Sequence, residues 1–274
     1  MADLITVLGG KGFIGGHLLR HALAMGHDCW APDRGDSDIF QRDLGHVIYA
    51  VGLTADFRTR PLATVEAHVC LLHKLIEAGN FASLTYLSST RLYAGAPSTT
   101  ESTILRVNPH ESGDLYNISK LMGESLCLHC GRGGLKVARL SNIVGIRPDP
   151  DIFIDQLLEE GCRNGHVVLH TSLESQKDYL YIDDAVKLLL RLALSEQSGI
   201  FNVASGEGVS NREIVGYLER EMGFTVSVAA DAEGWDFIAV DVGKVRSLLD
   251  FSPQPFAHYF PQFLRSYRQK KGWT

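Results

Sequence analysis

No run of apolar residues in this 274-residue chain approaches the roughly 18 that a membrane span requires. The opening MADLITVLGGKGFIGG carries no basic leader ahead of its apolar stretch, so a cytoplasmic protein is expected. Cysteine is scarce: Cys29, Cys70, Cys127, Cys130 and Cys162 are odd in number and scattered, unlike a disulfide framework. Cys127 and Cys130 form a CxxC, but no second Cys/His pair lies nearby at zinc-finger spacing; a helix carrying two small thiols is expected, and no metal site. Clusters of Lys and Arg are missing too. The 26 basic residues face 32 acidic ones for a net charge of −6, which excludes nucleic acid or an anionic membrane as the main partner. There is no internal repeat, no low-complexity linker and no GxxxxGK[ST] loop, so ATP is not the expected ligand. What is there is an ordinary globular composition, 45% hydrophobic, long enough to bury a core without disulfides.

Leu4-Ile5-Thr6-Val7-Leu8 is a short apolar run ending in glycines, the pattern of a buried parallel strand. Phe13, Ile14, Leu18, Leu19 and Leu23 then recur at helical spacing, and Gly26 is placed to end that helix. Cys29-Trp30-Ala31 reads as a second strand running towards Asp33, and Val47 to Val51 as a third. A helix is predicted from Pro61 to Ala78, a strand at Leu84 to Leu87, a helix from Leu115 to His129 and a strand at Val137 to Leu140. This alternation implies an α/β protein with a doubly wound parallel sheet and helices on both faces. After Gly145 the pattern is less regular, with Pro148 and Pro150. Helices are predicted at Phe153 to Glu160, Asp183 to Leu194, Arg212 to Glu221 and Lys244 to Leu249, and strands at Val167 to Leu169, Phe201 to Ala204 and Val226 to Val228. The organisation expected is a dinucleotide-binding domain over 1–145, with 171–205 contributing, and a smaller C-terminal α/β substrate lobe over 146–274.

The turn Gly9-Gly10-Lys11-Gly12-Phe13-Ile14-Gly15 falls between a strand and a helix, and that placement gives the spacing its meaning. Gly9 permits a tight turn, Gly12 lets backbone approach a pyrophosphate, and Gly15 allows close packing of helix on sheet, with the helix N-terminus facing the phosphates. With Phe13 and Ile14 this is a candidate dinucleotide site in a Rossmann-type fold. Asp33, 18 residues after Gly15, stands near the roughly 20-residue offset at which an acidic side chain meets the adenosine ribose. NAD and NADP both stay open. Asp33 repels a 2′-phosphate, Lys11 and Arg34 neutralise one, and a Lys11–Asp33 ion pair would account for the lysine with no phosphate at all.

Tyr116-Asn117-Ile118-Ser119-Lys120 places Tyr116 and Lys120 four residues apart on one helix face. A free phenol titrates near 10, and a base working at neutral pH needs roughly 4 kcal/mol of preferential phenolate stabilisation. A lysine cation and an oxidised nicotinamide can supply it. On its own such a pair is a common surface arrangement, but here it shares the chain with a dinucleotide loop and with Ser88-Ser89-Thr90 after a central strand.

With these residues on the page, the chain resembles the extended branch of the short-chain dehydrogenase/reductase family, the nucleotide-sugar epimerases, dehydratases and reductases. The resemblance covers nearly the whole chain. It takes in Gly9 to Gly15, Tyr86 to Tyr93, the Tyr116/Lys120 pair, Arg139 to Gly145, Lys177 to Asp184 and Phe201 to Gly206. It implies Tyr116 as the acid/base at a substrate hydroxyl or ketone, and Lys120 as the residue that depresses the Tyr116 pKa and holds the nicotinamide ribose. Ser89 occupies the catalytic Ser/Thr position, and Thr90 and Asn142 are candidate substrate contacts, although Ser88, Thr90 and Asn142 also read as turn residues. The implied cofactor is NAD or NADP, and the implied substrate a sugar-like, nucleotide-linked secondary alcohol or ketone. A homodimer is implied through the helix of Tyr116 and the Pro61–Ala78 helix, whose stripe Val65, Val69, Leu72, Ile76 reads equally as core.

Several departures bear on the activity. The family's dehydratases carry Asp-Glu directly after the catalytic Thr, where this chain has Thr90-Arg91, so dehydration is not expected. His68 stands where the family usually shows Asn, either replacing a hydrogen bond or filling core space. The short segment between Asp33 and Val47 points to a truncated strand-helix unit and a more open adenine side. Where many relatives present an arginine to the diphosphate, this chain reads Asp231-Ala232-Glu233-Gly234-Trp235-Asp236, leaving Arg147, Arg212 or another base to compensate; Trp235 reads as a stacking platform or as packing. Epimerisation and reduction therefore both stand. Beside them stand an NADPH-dependent reductase of a non-sugar ketone and a non-catalytic dinucleotide sensor, which would not need the Tyr116/Lys120 pair.

Overall fold

The computed structural model describes residues 2–54, 56–147, 152–234 and 238–272, so Pro148, Pro150, Trp235 and Asp236 lie outside the described residues. The chain begins with β1 (Leu4–Leu8), α1 (Phe13–Ala24), β2 (Asp28–Trp30) and β3 (His46–Tyr49). A helical run follows in three parts, α2 (Pro61–Val65), a π turn (Glu66–Cys70) and α3 (Leu71–Ala78), and then β4 (Ser83–Ser89), α4 (Asp114–His129) and β5 (Leu135–Leu140). After these come β6 (Asn142–Val144), α5 (Phe153–Asn164), β7 (His166–Thr171), β8 (Gln176–Tyr181), α6 (Ile182–Leu194) and β9 (Gly199–Val203). The chain closes with β10 (Gly208–Ser210), α7 (Asn211–Tyr217), β11 (Thr225–Glu233), α8 (Gly243–Leu249) and α9 (Phe256–Lys271).

Six parallel strands in the order β2-β1-β3-β4-β5-β9 form the central sheet, which is the doubly wound Rossmann arrangement. The full form of that arrangement has one more strand outside β2. Here a single 3-10 turn, Ser37–Phe40, spans the gap between β2 and β3, so β2 is the edge and the expected truncation is real. The strands at the sheet's centre, β4 and β5, are buried on both faces, as parallel sheets require. One core packs Leu18 and Ala22 of α1, Leu188, Leu189 and Leu192 of α6 and Val245 of α8 against the sheet. The opposite face is covered by Leu72 and Leu75 of α3 and Cys127 of α4.

β5 contains two buried cations that a central strand would not be expected to tolerate, Lys136 and Arg139. Lys136 Nζ donates to the carbonyls of Ala193 (2.8 Å) and Ser195 (2.5 Å), closing the exposed end of α6. The smaller lobe is built from β10-β8-β6 and β11-β7 around Leu157 and Leu158, Tyr179, Ile214 and the aromatic face of α9. Although they follow the first lobe elements, α6 and β9 return to the central sheet and its core.

The strand ends predicted from sequence move by a residue or two, and β6, β8, β10 and α9 were not predicted. In the stripe proposed as either core or contact surface, Leu72 is core, while Val65, Val69 and Ile76 are half-buried. The Pro61–Ala78 helix exists but is broken in its middle by the π turn.

Candidate active site

The C-terminal ends of β1, β4 and β5 open onto one cavity of about 520 Å³. It is lined by Gly12, Phe13, Ile14 and Gly15 on one side and by Ser89, Tyr116, Lys120 and Asn142 on the other. The glycine turn is sterically committed. Gly9 has φ +86°, and a Cβ there would stand 2.6 Å from the Ala50 carbonyl oxygen; one on Gly15 would run into the Gly9 carbonyl. Gly12 begins α1 with no side-chain cap, so the first-turn amides of α1 face the cavity without partners from a cap. Uncapped amides at a helix N-terminus suit a pyrophosphate, and the residues present fit a dinucleotide. Lys11 Nζ and Asp33 Oδ1 pair at 2.5 Å, both exposed, and Arg34 is exposed beside them.

Tyr116 is buried in the first turn of α4. Its ring is 5.3 Å from the Phe57 ring and meets His68 edge-on at 5.3 Å. Burial raises the phenol's pKa, and the Ser89 hydrogen bond followed by the Arg91 charge pulls against it. The resting phenol is therefore an acid. Lys120 Nζ, 5.9 Å from the Tyr116 ring centre, donates to the Leu87 carbonyl at 2.8 Å. Burial lowers its pKa to about 7, opposed by Glu124 one turn on. Two cations therefore stand by the phenol, Arg91 at 5.8 Å and Lys120 at 5.9 Å from its ring centre.

Behind these groups lies a continuous polar network. Glu124 accepts from Arg139 Nε (2.9 Å) and Nη2 (2.6 Å) and from the Ser88 hydroxyl (2.6 Å). Arg139 Nη1 donates to Tyr93 Oη (2.9 Å), and that hydroxyl donates to Asn202 (2.8 Å). The network ties the end of β4, where Ser89 sits, to the helix that carries Tyr116 and Lys120.

The π turn accounts for His68. Its carbonyl accepts from Tyr86 Oη (3.2 Å) and that of Ala67 from Tyr49 Oη (2.6 Å), so two tyrosines from the sheet satisfy carbonyls in the widened turn. The imidazole is fully buried. Leu53 N–H donates to Nε2 (3.3 Å), which makes Nε2 the acceptor; Nδ1 therefore donates to Ser119 Oγ (2.8 Å), and Ser119 donates to the Tyr116 carbonyl (2.8 Å). Gly52 closes this corner: a Cβ there would stand 3.1 Å from His68 Nε2 and 3.5 Å from Lys120 Nζ. Of the two expectations for His68, the structure shows the hydrogen-bonding one.

Burial, and then the Lys120 charge, lower the His68 pKa to about 3 from 6.5. Its neutral form thus contributes stability that is complete above pH 6.5 and lost as pH falls towards 3. His68→Phe, which keeps the ring and removes both hydrogen bonds, is expected to cost about 1–3 kcal/mol in urea unfolding at neutral pH. The difference from wild type should shrink as pH falls through that window; a pH-independent difference would show that protonation is not coupled to folding.

The other sequence candidates divide. Thr90 is buried with its hydroxyl on the Leu140 carbonyl (3.2 Å) and does not line the cavity. Asn142 lines the cavity, with its amide nitrogen donating to the Asp178 carbonyl (2.9 Å). Arg147 also lines it, packed 4.0 Å over Phe13 and paired with Asp155 at 2.9 Å. Arg212 is away from the cavity, paired with Glu174 on the surface. Asp231 and Glu233 are spent as the end of β11. Lys177, which residue-level reading did not single out, lies 4.6 Å over the ring of the cavity residue Phe153, and burial lowers its pKa. Its signal was faint: a lysine in a strand whose buried neighbour, Asp178, accepts from the amides of Ser205 (2.9 Å) and Gly206 (2.8 Å).

Residues 5–204 match the model of the NAD dependent epimerase/dehydratase family. The chain belongs to that family. Within the epimerase/dehydratase family it is 28% identical over 245 residues to the GDP-6-deoxy-D-mannose reductase of Pseudomonas aeruginosa, covering 80% of each protein. It is 29% identical over 182 residues to the dTDP-glucose 4,6-dehydratase of Streptomyces griseus, covering 63% of this chain and 54% of that one. The fold is also that of MoeE5, solved in complex with UDP-glucuronic acid and NAD, with a TM-score of 0.80, 21% identity, and coverage of 97% and 99% of the two chains. Among the described residues no helix is long and apolar enough to cross a membrane, and none holds a cluster of metal-ligating side chains.

Proposed function

We propose that this protein is an NAD-dependent epimerase acting on a secondary hydroxyl of a nucleotide-linked sugar. The observation that carries the reading is the convergence of Ser89, Tyr116 and Lys120 on the cavity that the glycine turn opens into. Both relatives are named for nucleoside-diphosphate sugars, and Lys177 and Arg147 place cations by the cavity for such a diphosphate. The glycine turn with the first amides of α1 would hold the pyrophosphate, and Asp33 the adenosine ribose. When bound, the nicotinamide supplies the two-electron exchange and, oxidised, one further positive charge.

The chain's own residues supply the rest. Tyr116 gives a proton to the reacting oxygen or takes one from it, and Ser89 donates a hydrogen bond to that oxygen as charge develops. Lys120, buried beside them with a pKa brought to about 7, offers protons on Nζ to ribose hydroxyls and positive charge to the phenolate. Elimination of water lacks its acid and base, since Thr90 is spent on Leu140 and Arg91 is a cation. The preference for NAD rests on Lys11, whose ammonium is committed to Asp33, leaving a carboxylate where a 2′-phosphate would sit. Two copies are proposed to pair through α4 and the Pro61–Ala78 run, which leave Leu62 and Met122 exposed.

Denaturing the purified protein and identifying what it releases tests this. Bound NAD near one per chain is the expected result. A protein that purifies empty and prefers NADPH would be a reductase that exchanges its cofactor, and one that binds neither would not be a nicotinamide-dependent enzyme at all.

A further inference from the structure

Arg91 lines the cavity beside Tyr116, and the acid/base reading assigns its guanidinium no contact with substrate. Its amide donates to Ser89 Oγ (3.1 Å), so its backbone is fixed at the reacting end of the cavity. The guanidinium lies 5.8 Å from the Tyr116 ring centre and 5.3 Å from that of Phe57. Arg58 reaches the same place, 4.5 Å over the Phe57 ring. A Cβ on Gly113 would stand 3.2 Å from Arg91 Nη2 and 3.6 Å from Arg58 Nη2, so the two guanidiniums converge on one point beside the phenol. Neither arginine enters an ion pair among the described residues. Asp114 is the nearby acid, but its Oδ1 already accepts from Asn117 Nδ2 (2.6 Å) and its Oδ2 from the Asn108 amide (2.7 Å). Burial and then the Arg58 charge lower the Arg91 pKa, against the opposing pull of Tyr116 and the Asp114 carboxylate.

We propose that Arg91 and Arg58 form an anion subsite for a carboxylate on the sugar ring being oxidised, so that the substrates are nucleotide-linked uronic acids. The inference rests on the nucleotide-sugar reading above and narrows it. A planar guanidinium fork takes both oxygens of a carboxylate, whereas a hydroxymethyl group in the same place leaves two like charges facing each other. Because Arg91 is fixed through Ser89, the anion it holds lies within a sugar ring's reach of the reacting oxygen. The other source of anionic oxygen is the substrate's own diphosphate, and the test separates the two.

Calorimetric titration of the NAD-saturated protein with UDP-glucuronate, UDP-glucose and UDP reads the subsite directly. UDP-glucuronate is expected to bind about tenfold or more tightly than UDP-glucose, and Arg91→Gln to bring the two within about twofold of each other. Arg58→Gln, a change at an exposed position that leaves packing intact, is expected to reduce the preference by about threefold. Equal affinity for the two sugars in wild type overturns the proposal alone. A parallel loss of all three ligands in Arg91→Gln, UDP included, also overturns it and gives the guanidinium to the diphosphate. Failure of all three, and of the guanosine and thymidine diphosphate counterparts of both sugars, to bind the wild-type protein overturns the nucleotide-sugar reading and the subsite together.

Discussion

Replacing Tyr116 by phenylalanine is expected to lower kcat by about 10²- to 10⁴-fold, the range associated with losing a positioned acid/base. Dinucleotide affinity should stay nearly unchanged, because the ring keeps its contacts with Phe57 and His68 and the glycine turn is untouched. The hydroxyl is what is lost, together with the hydrogen bond from Ser89. Steady-state kinetics with a fluorescence titration of NAD separates the two effects. Full activity in the variant would remove Tyr116 from the chemistry; loss of NAD binding would give it a structural role instead.

The second large effect concerns stability. Glu124 and Arg139 are each only 3% exposed and joined by two hydrogen bonds, so Glu124→Gln leaves a guanidinium buried without its counter-charge. A loss of about 3–5 kcal/mol is expected in denaturant unfolding. The double variant Glu124→Leu/Arg139→Met, with both charges gone, should recover a substantial part of that loss, since the expense lies in the orphaned charge more than in the absent pair. A cost under about 1 kcal/mol for Glu124→Gln would show that water reaches the pair. The same network fixes Ser88 beside Ser89 and Glu124 one turn beyond Lys120, so these variants should also turn over more slowly.

The parts of the site that depend on local geometry were legible in the sequence. A strand, a glycine turn and a helix in succession specify the cradle, and a four-residue spacing on a helix specifies that Tyr116 and Lys120 share a face. What was not legible depends on distant partners. The π turn at Glu66–Cys70 lies inside an unbroken helical period, and only the Tyr49 and Tyr86 hydroxyls that meet its carbonyls explain it. β8 carries Lys177 and Asp178, charges that hydrophobic periodicity does not assign to a strand; amides from the following loop satisfy the buried Asp178. α9 shows a clear apolar stripe from Phe256 to Tyr267, but Pro253, Pro255 and Pro261 obscured it; Pro255 in fact caps the helix. The second cation beside Tyr116 was likewise beyond sequence: Lys120 is placed by its spacing on α4, whereas Arg91 comes from the turn after β4 to 5.8 Å from the same ring centre.

The central claim is that Tyr116 serves a redox step on a nucleotide sugar within this cavity. Mixing the NAD-saturated protein with UDP-glucuronate in a stopped-flow spectrometer, and watching the absorbance of reduced nicotinamide, tests that claim most directly. The account predicts a transient rise in wild type that is absent in Tyr116→Phe. No rise in wild type with UDP-glucuronate, or with a panel of uridine, guanosine and thymidine diphosphate sugars, would contradict it.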